Sequence, residues 1–149
     1  MTQDLQVKKQ PVPATVFLGD GSTLAGTIFL SPVGPTQPGR ETVLELMEEP
    51  EAMMPFHAQS ERFLLLGKEA IVAIRILSGE AQPELATRVG ADVMLRGGFQ
   101  FNGRVVTGHE DDRLSDVLNH AGEWIRLETV NGVVWLRRSA IIQASQPLT

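Results

Sequence analysis

Few stretches of this sequence gather side chains able to do chemistry. His109, Glu110, Asp111 and Asp112 are contiguous, and His120 follows on the far side of a short polar segment. Imidazole and carboxylate ligands suit a divalent cation. This spacing fits no established metal motif, and the third histidine, His57, lies far off in sequence. The stretch reads as an acidic, solvated loop, and no metal ligand is assigned. No serine stands in the G-x-S-x-G turn that would hold a nucleophile on a strained elbow. Ser115 with His120 or His109 is an arithmetically possible serine–histidine combination, but a triad also needs a carboxylate behind the imidazole. Ser115 reads more simply as a helix cap or turn residue.

Other chemistries are argued against in the same way. Carboxylates cluster at Glu48, Glu49 and Glu51 and at Asp111 and Asp112. General acid–base work needs one of a pair in a closed apolar site, and these clusters read as exposed. Gly19-x-Gly21 and Gly97–Gly98 lack the strand-to-helix setting of a phosphate loop. The chain has no cysteine, which excludes thiol catalysis, disulfides and cysteine-held metals. The expectation is a protein that is not an enzyme, with no catalytic, cofactor or metal residue.

Charge and aromatic content narrow the binding classes. Thirteen Lys and Arg against 18 Asp and Glu leave −5, a poor balance for neutralising a phosphate polyanion. Residues 14–77 carry eight acids and four bases; residues 91–144 carry seven acids and six bases, all arginine. Among those arginines, Arg104, Arg126, Arg137 and Arg138 are expected to form a partner-binding face. Phe99 and Phe101 are spaced to share a sheet face with Val105, which reads as core rather than a base-stacking platform. Trp135 reads as core or interface. Met53–Met54–Pro55–Phe56 reads as core filling, with a docking patch as the other reading. No apolar run approaches the roughly 18 residues of a membrane span, and residues 1–13 lack a secretory apolar stretch, so a cytoplasmic location is expected.

The elements that must carry these residues repeat. ATVFLGDGSTLAGTIFL (14–30) aligns without a gap on ADVMLRGGFQFNGRVVT (91–107), placing Val16 on Val93, Leu18 on Leu95, Gly21 on Gly98 and Gly26 on Gly103. LLLGKEAIVAI (64–74) aligns on VWLRRSAIIQA (134–144), placing Ala70 on Ala140 and Ile71 on Ile141. The difference in offset falls in the Pro/Gly-rich stretch 31–40, a natural place for an insertion. Such self-similarity predicts a duplication. The units are a flexible arm over 1–13, a first copy over 14–77, a linker over 78–90 and a second copy over 91–145.

Each copy reads as β. Apolar residues alternate along 16–30 and 93–105, and Asp20–Gly21 and Gly97–Gly98 suit tight hairpins. Gly26 and Gly103, inside strands, predict a bend. Residues 113–119 could be a short helix, since Leu114, Val117 and Leu118 share a face; Asp112 or Ser115 would cap it. Residues 43–47 are left open between helix and strand. Three closing strands follow in each copy, over 54–58, 62–66 and 70–77, and over 123–128, 133–137 and 140–144, with a hairpin turn at Asn131–Gly132. Five strands in so few residues predict a small, strongly bent antiparallel barrel.

The two hairpins with Gly21, Gly26, Gly98 and Gly103, and the endings 70–74 and 140–144, resemble the Sm-like and SH3-like small barrels. The segment 113–119 before Trp124–Ile125–Arg126–Leu127 is similar to that of uncharacterised bacterial domains. The resemblance implies a mainly β protein of two tandem small barrels, and assembly through strand edges with a protein partner or with itself. RNA-binding Sm proteins carry an aspartate and asparagine after the second strand and an arginine–glycine pair before the last. Leu66–Gly67–Lys68 and Leu136–Arg137–Arg138 stand at the latter place here, so the resemblance implies no RNA pocket. Nucleic-acid or nucleotide binding through the second copy is kept as the alternative function.

Overall fold

A computed structural model describes residues 10–30, 42–77, 87–108 and 113–147. The first half runs β1 (Gln10–Leu18), β2 (Thr23–Leu30), α1 (Val43–Glu48), β3 (Met53–Ala58), β4 (Phe63–Gly67), a 3-10 turn (Lys68–Ala70) and β5 (Ile71–Ile76). The second half runs β6 (Arg88–Leu95), β7 (Phe99–Val106), α2 (Leu114–His120), β8 (Trp124–Thr129), β9 (Gly132–Arg137), a 3-10 turn (Arg138–Ala140) and β10 (Ile141–Ser145). The order of elements is the same in both. The stretch 31–40, residues 78–86 of the expected linker and His109–Asp112 lie outside the described residues.

The fold is mainly β, and every pairing is antiparallel. The ten strands form one sheet in the order β10-β6-β7-β8-β9-β5-β1-β2-β3-β4. The sheet is open, with β10 and β4 as its edges, where two closed barrels were expected. It continues from one half into the other because β5 and β9 pair.

Local chemistry explains the boundaries. Thr42-x-x-Glu45 is a capping box: the Thr42 hydroxyl accepts from the Glu45 N–H at 3.2 Å, and the Thr42 N–H donates to the Glu45 carboxylate at 2.8 Å. That settles α1 as a helix. At its other end buried Lys68 donates to the carbonyls of Leu46 and Glu49, both at 3.0 Å, and so ties the last turn of the helix to the 3-10 turn that follows β4. In α2 the capping position falls to Arg113, whose N–H donates to Asp116 at 3.0 Å, rather than to Ser115. Of the flexible arm expected over 1–13, residues 10–13 belong instead to β1, which includes Pro11 and Pro13, and residues 1–9 lie outside the described residues. Leu18 N–H bonds Ser22 on the β2 side, so the alternation of an antiparallel ladder turns the odd residues of β1 away from β2. β5 reaches only to Ala14 on that side, so the two prolines interrupt no ladder. Likewise β6 takes in residues 88–90 of the expected linker.

Gly26 and Gly103 sit where a long strand crosses from one neighbour to the next. Gly26 faces Ala14 in β1 and Ala58 in β3; Gly103 faces Ala91, beside the single β7–β8 register pair Arg104–Glu128. A Cβ on Gly26 would stand 2.2 Å from the His57 carbonyl oxygen, and one on Gly103 would stand 2.3 Å from that of Glu128. The close approach bends the sheet onto itself at equivalent places. It encloses two cores. One holds Val16, Ile28, Leu30, Phe56 and Ile74, with Val133 and Trp135 reaching in from the second half. The other holds Val93, Leu95, Phe101, Leu127 and Leu136, with Phe17, Val72 and Ala73 reaching in from the first. Gly26→Ala and Gly103→Ala are each expected to cost about 1–3 kcal/mol, the usual range for overpacking against atoms that cannot move aside. Urea unfolding of the two variants measures it, and unchanged midpoints would refute the close-approach account.

Candidate functional site

The seam between the halves shows how a sheet edge of this chain is used. β5 and β9 pair from Ala73–Leu136 to Ile76–Val133. These are inequivalent strands, the fifth of the first half and the fourth of the second. Alternate residues of β9 therefore serve two cores: Val134 and Leu136 fill their own, while Val133 and Trp135 enter that of the first half.

Three further contacts bind the seam. Arg137 is buried at the end of β9; its Nε–H donates to the Ile71 carbonyl at 2.8 Å, and its Nη2 donates to the Lys68 carbonyl. A third donation, at 3.3 Å, goes to Glu123, and the guanidinium lies 4.6 Å over the Trp124 ring. Phe17 from the first half packs edge to face against Phe99 and Phe101 at 5.1 and 5.0 Å, and Arg75 stacks over Phe17 at 5.2 Å. Gly132 closes the β8–β9 turn with φ of +112° and sits so near Ile76 that a Cβ would stand 2.3 Å from its carbonyl oxygen. The turn residues are thus Val130 and Asn131, one position earlier than expected, and the glycine serves both the turn and the seam.

The two edges of the sheet are the strands that the seam leaves over: β4, the fourth of the first half, and β10, the fifth of the second. Their apolar residues stand where the seam has buried ones. Phe63 and Leu65 on β4 are 65% and 61% exposed, and their equivalents Val133 and Trp135 are 6% and 7% exposed. Ile142 on β10 is 64% exposed, and its equivalent Val72 is fully buried. The match extends to backbone detail. Leu18 faces Ile71 and Phe17 faces Ala73, so Val72 is the extra residue of a bulge. Leu95 faces Ile141 and Met94 faces Gln143, so Ile142 is the extra residue of the same bulge. Met53 adds exposed apolar surface beside β4, while Met54 and Phe56 fill the core.

Of the four arginines expected to form a partner face, Arg137 is buried in the seam, where its donors go to two backbone carbonyls of the first half. Arg126 is half-buried and donates to Glu128 at 2.7 Å; Arg88, which the sequence did not single out, donates to the same carboxylate at 2.6 Å. Arg104 and Arg138 are exposed. The hydrogen bond from Arg88 outweighs partial burial and, with Arg126, holds Glu128 below the ordinary carboxylate range. Burial pushes Glu123 up, but hydrogen bonds from Ser139 and Arg137 more than offset it.

Among the described residues no three His, Cys, Asp or Glu gather as a metal site. Ser115 and His120 fall five residues apart on α2, about 140° apart around its axis, so they do not face each other. His120 Nδ1 lies 2.8 Å from the Asp116 carbonyl oxygen. No helix among the described residues is long and apolar enough to cross a membrane. Compared with known protein families, curated proteins and solved structures, the chain gives no match.

Sequence reading missed Phe63, Leu65 and Ile142. The signal was available in the alignment of 64–74 on 134–144. It placed Leu65 on Trp135 and Ile142 on Val72, and only pairing in space shows which member of each pair stands at an edge.

Arg137→Met keeps much of the stem and removes the donors that reach the Ile71 and Lys68 carbonyls across the seam. It should destabilise the fold by roughly 2–3 kcal/mol, read by chemical denaturation; a loss under about 0.5 kcal/mol would show that the seam does not need the clamp. Glu123 and Glu128 bind protons more weakly folded than unfolded, so their contribution is complete above the ordinary value of 4.5 and is lost as pH falls through their lower folded values. Glu128→Gln should therefore flatten the fall of the thermal midpoint on acidification below about pH 4.5. An equally steep fall in the variant would refute this.

Proposed function

We propose that this chain is a non-enzymatic assembly module. Two duplicated units of the small Sm-like or SH3-like barrel kind are fused through one strand edge, and the remaining edges join copies of the chain, β10 of one to β4 of the next. The observation that carries this reading is the pairwise match between edge and seam: Phe63, Leu65 and Ile142 lie exposed at the positions where Val133, Trp135 and Val72 are buried. An edge strand offers unsatisfied backbone groups to an incoming strand, and here the apolar side chains beside those groups already have a matched counterpart. The seam pairs inequivalent strands, so its repetition between chains is head-to-tail and builds a ring or a filament.

Magnitudes set the character of the joint. Covering the exposed parts of Phe63, Leu65 and Ile142 releases roughly 3–6 kcal/mol. That is comparable with the lower range of what association costs in lost freedom, about 4 kcal/mol and upward. Assembly should therefore depend on concentration. Nucleic-acid binding through the second half draws less support, because Arg137 is buried in the seam and Arg126 and Arg88 hold Glu128.

Sedimentation velocity across a concentration series tests the proposal. The wild-type chain should gain mass with concentration, and Leu65→Lys or Ile142→Lys should each return it to single chains while the circular dichroism stays unchanged. A wild-type chain that remains single at high concentration would refute self-assembly through these edges.

A further inference from the structure

We infer that Gly67 sets the strength of the joint between copies, keeping it weak and reversible beside the permanent seam within the chain; this rests on the edge-pairing reading above. Gly67 is the first-half equivalent of Arg137, and each residue immediately precedes the 3-10 turn of its half. Their backbones are nearly the same, φ −68° and ψ 122° at Gly67 against φ −80° and ψ 118° at Arg137. At the seam, Arg137 crosses to the carbonyls of Lys68 and Ile71. The same positions on the β10 side are Arg138 and Ile141. A neighbouring copy whose β4 lay along β10 would bring Gly67 toward those carbonyls with no side chain to reach them.

The rest of the joint departs from the seam in the same direction. The first-half equivalents of Phe99 and Phe101 are Ser22 and Leu24, so the aromatic contact on Phe17 has a small counterpart. The second-half equivalents of Phe17 and Arg75 are Met94 and Ser145. A groove of about 430 Å³ lies there beside β10, lined in part by Met94, Gln143 and Ser145. Its first-half counterpart is filled, with Phe17 and Ala73 buried under the second half. Each exchange removes a contact from the joint, and none removes one from the seam. A chain built this way stays fused as a two-unit block and exchanges with its neighbours as that block.

Gly67 has room for a side chain, since the nearest atom to an added Cβ is the Met53 sulfur at 4.0 Å. Gly67→Arg should tighten self-association at least tenfold in sedimentation equilibrium, as two charge-assisted hydrogen bonds are gained. Gly67→Leu adds bulk without donors and should leave association within about threefold of wild type. Association of the wild-type chain that Gly67→Arg does not tighten, or that Gly67→Leu tightens equally, would overturn the role of Gly67 while edge pairing stands. Wild type and Gly67→Arg both remaining single chains at every concentration would overturn edge pairing itself.

Discussion

The pairing of β5 with β9 is the constraint on which the rest of this molecule depends. It turns two five-strand units into one sheet, and it lets each unit complete the other's core. Trp135 and Val133 fill space under β5, and Phe17, Val72 and Ala73 fill space on the other side. A unit of this size, taken alone, buries too little apolar surface to be more than marginally stable. Fusing two of them at an edge enlarges both cores without adding an element. Arg137 then fixes the register at the end of the ladder. Its donors meet the carbonyls of Lys68 in the 3-10 turn and of Ile71 at the start of β5, and Glu123 and the Trp124 face lie against its charge.

Burial of an arginine is unfavourable unless its donors are matched, and the seam supplies that match with backbone rather than side-chain acceptors. The choice ties Arg137 to the shape of the first half more than to any one residue of it. Gly132 imposes a similar demand from the other end of β9, where only a residue without Cβ fits beside Ile76 and also adopts a positive φ. Specificity for this one pairing thus comes from both ends of the strand. The four apolar residues between them, 133–136, could pair with many edges.

Most of the local architecture was legible in the residues. Gly26 and Gly103 marked the bend, and the two alignments fixed the repeat of elements. The strands over 53–58, 63–67 and 132–137 lie within a residue of where alternation put them. The helix at 43–48 was equally legible through Thr42 and Glu45, and went unread because Thr42 and Val43 were weighed as strand formers. Pro11 and Pro13 misled for a physical reason: proline breaks a ladder only on the side where a partner strand lies, and sequence does not show the sides. The seam itself was out of reach. An arginine that ends in two distant carbonyls looks, in sequence, like any arginine on a solvated strand. Four arginines grouped by proximity in the chain were therefore read as one face, when the fold spends one in the interior and pairs another with glutamate.

The asymmetry of the seam decides which edges two halves with the same order of elements leave over. Had the halves met through equivalent strands, β4 against β9, the two strands left over would both be fifth strands, related by a twofold axis. Such a chain could only pair like with like, each joint having its own twofold axis. Because β5 meets β9 instead, the strands left over are a fourth and a fifth. Growth through the proposed joint between them would have no built-in stop except ring closure. A sequence under that condition has reason to let its outer joint drift away from its inner one. A glycine opposite an arginine, a serine opposite a phenylalanine and a methionine opposite a phenylalanine are such departures, and they fall at the strand ends and turns that decide how firmly an edge is held.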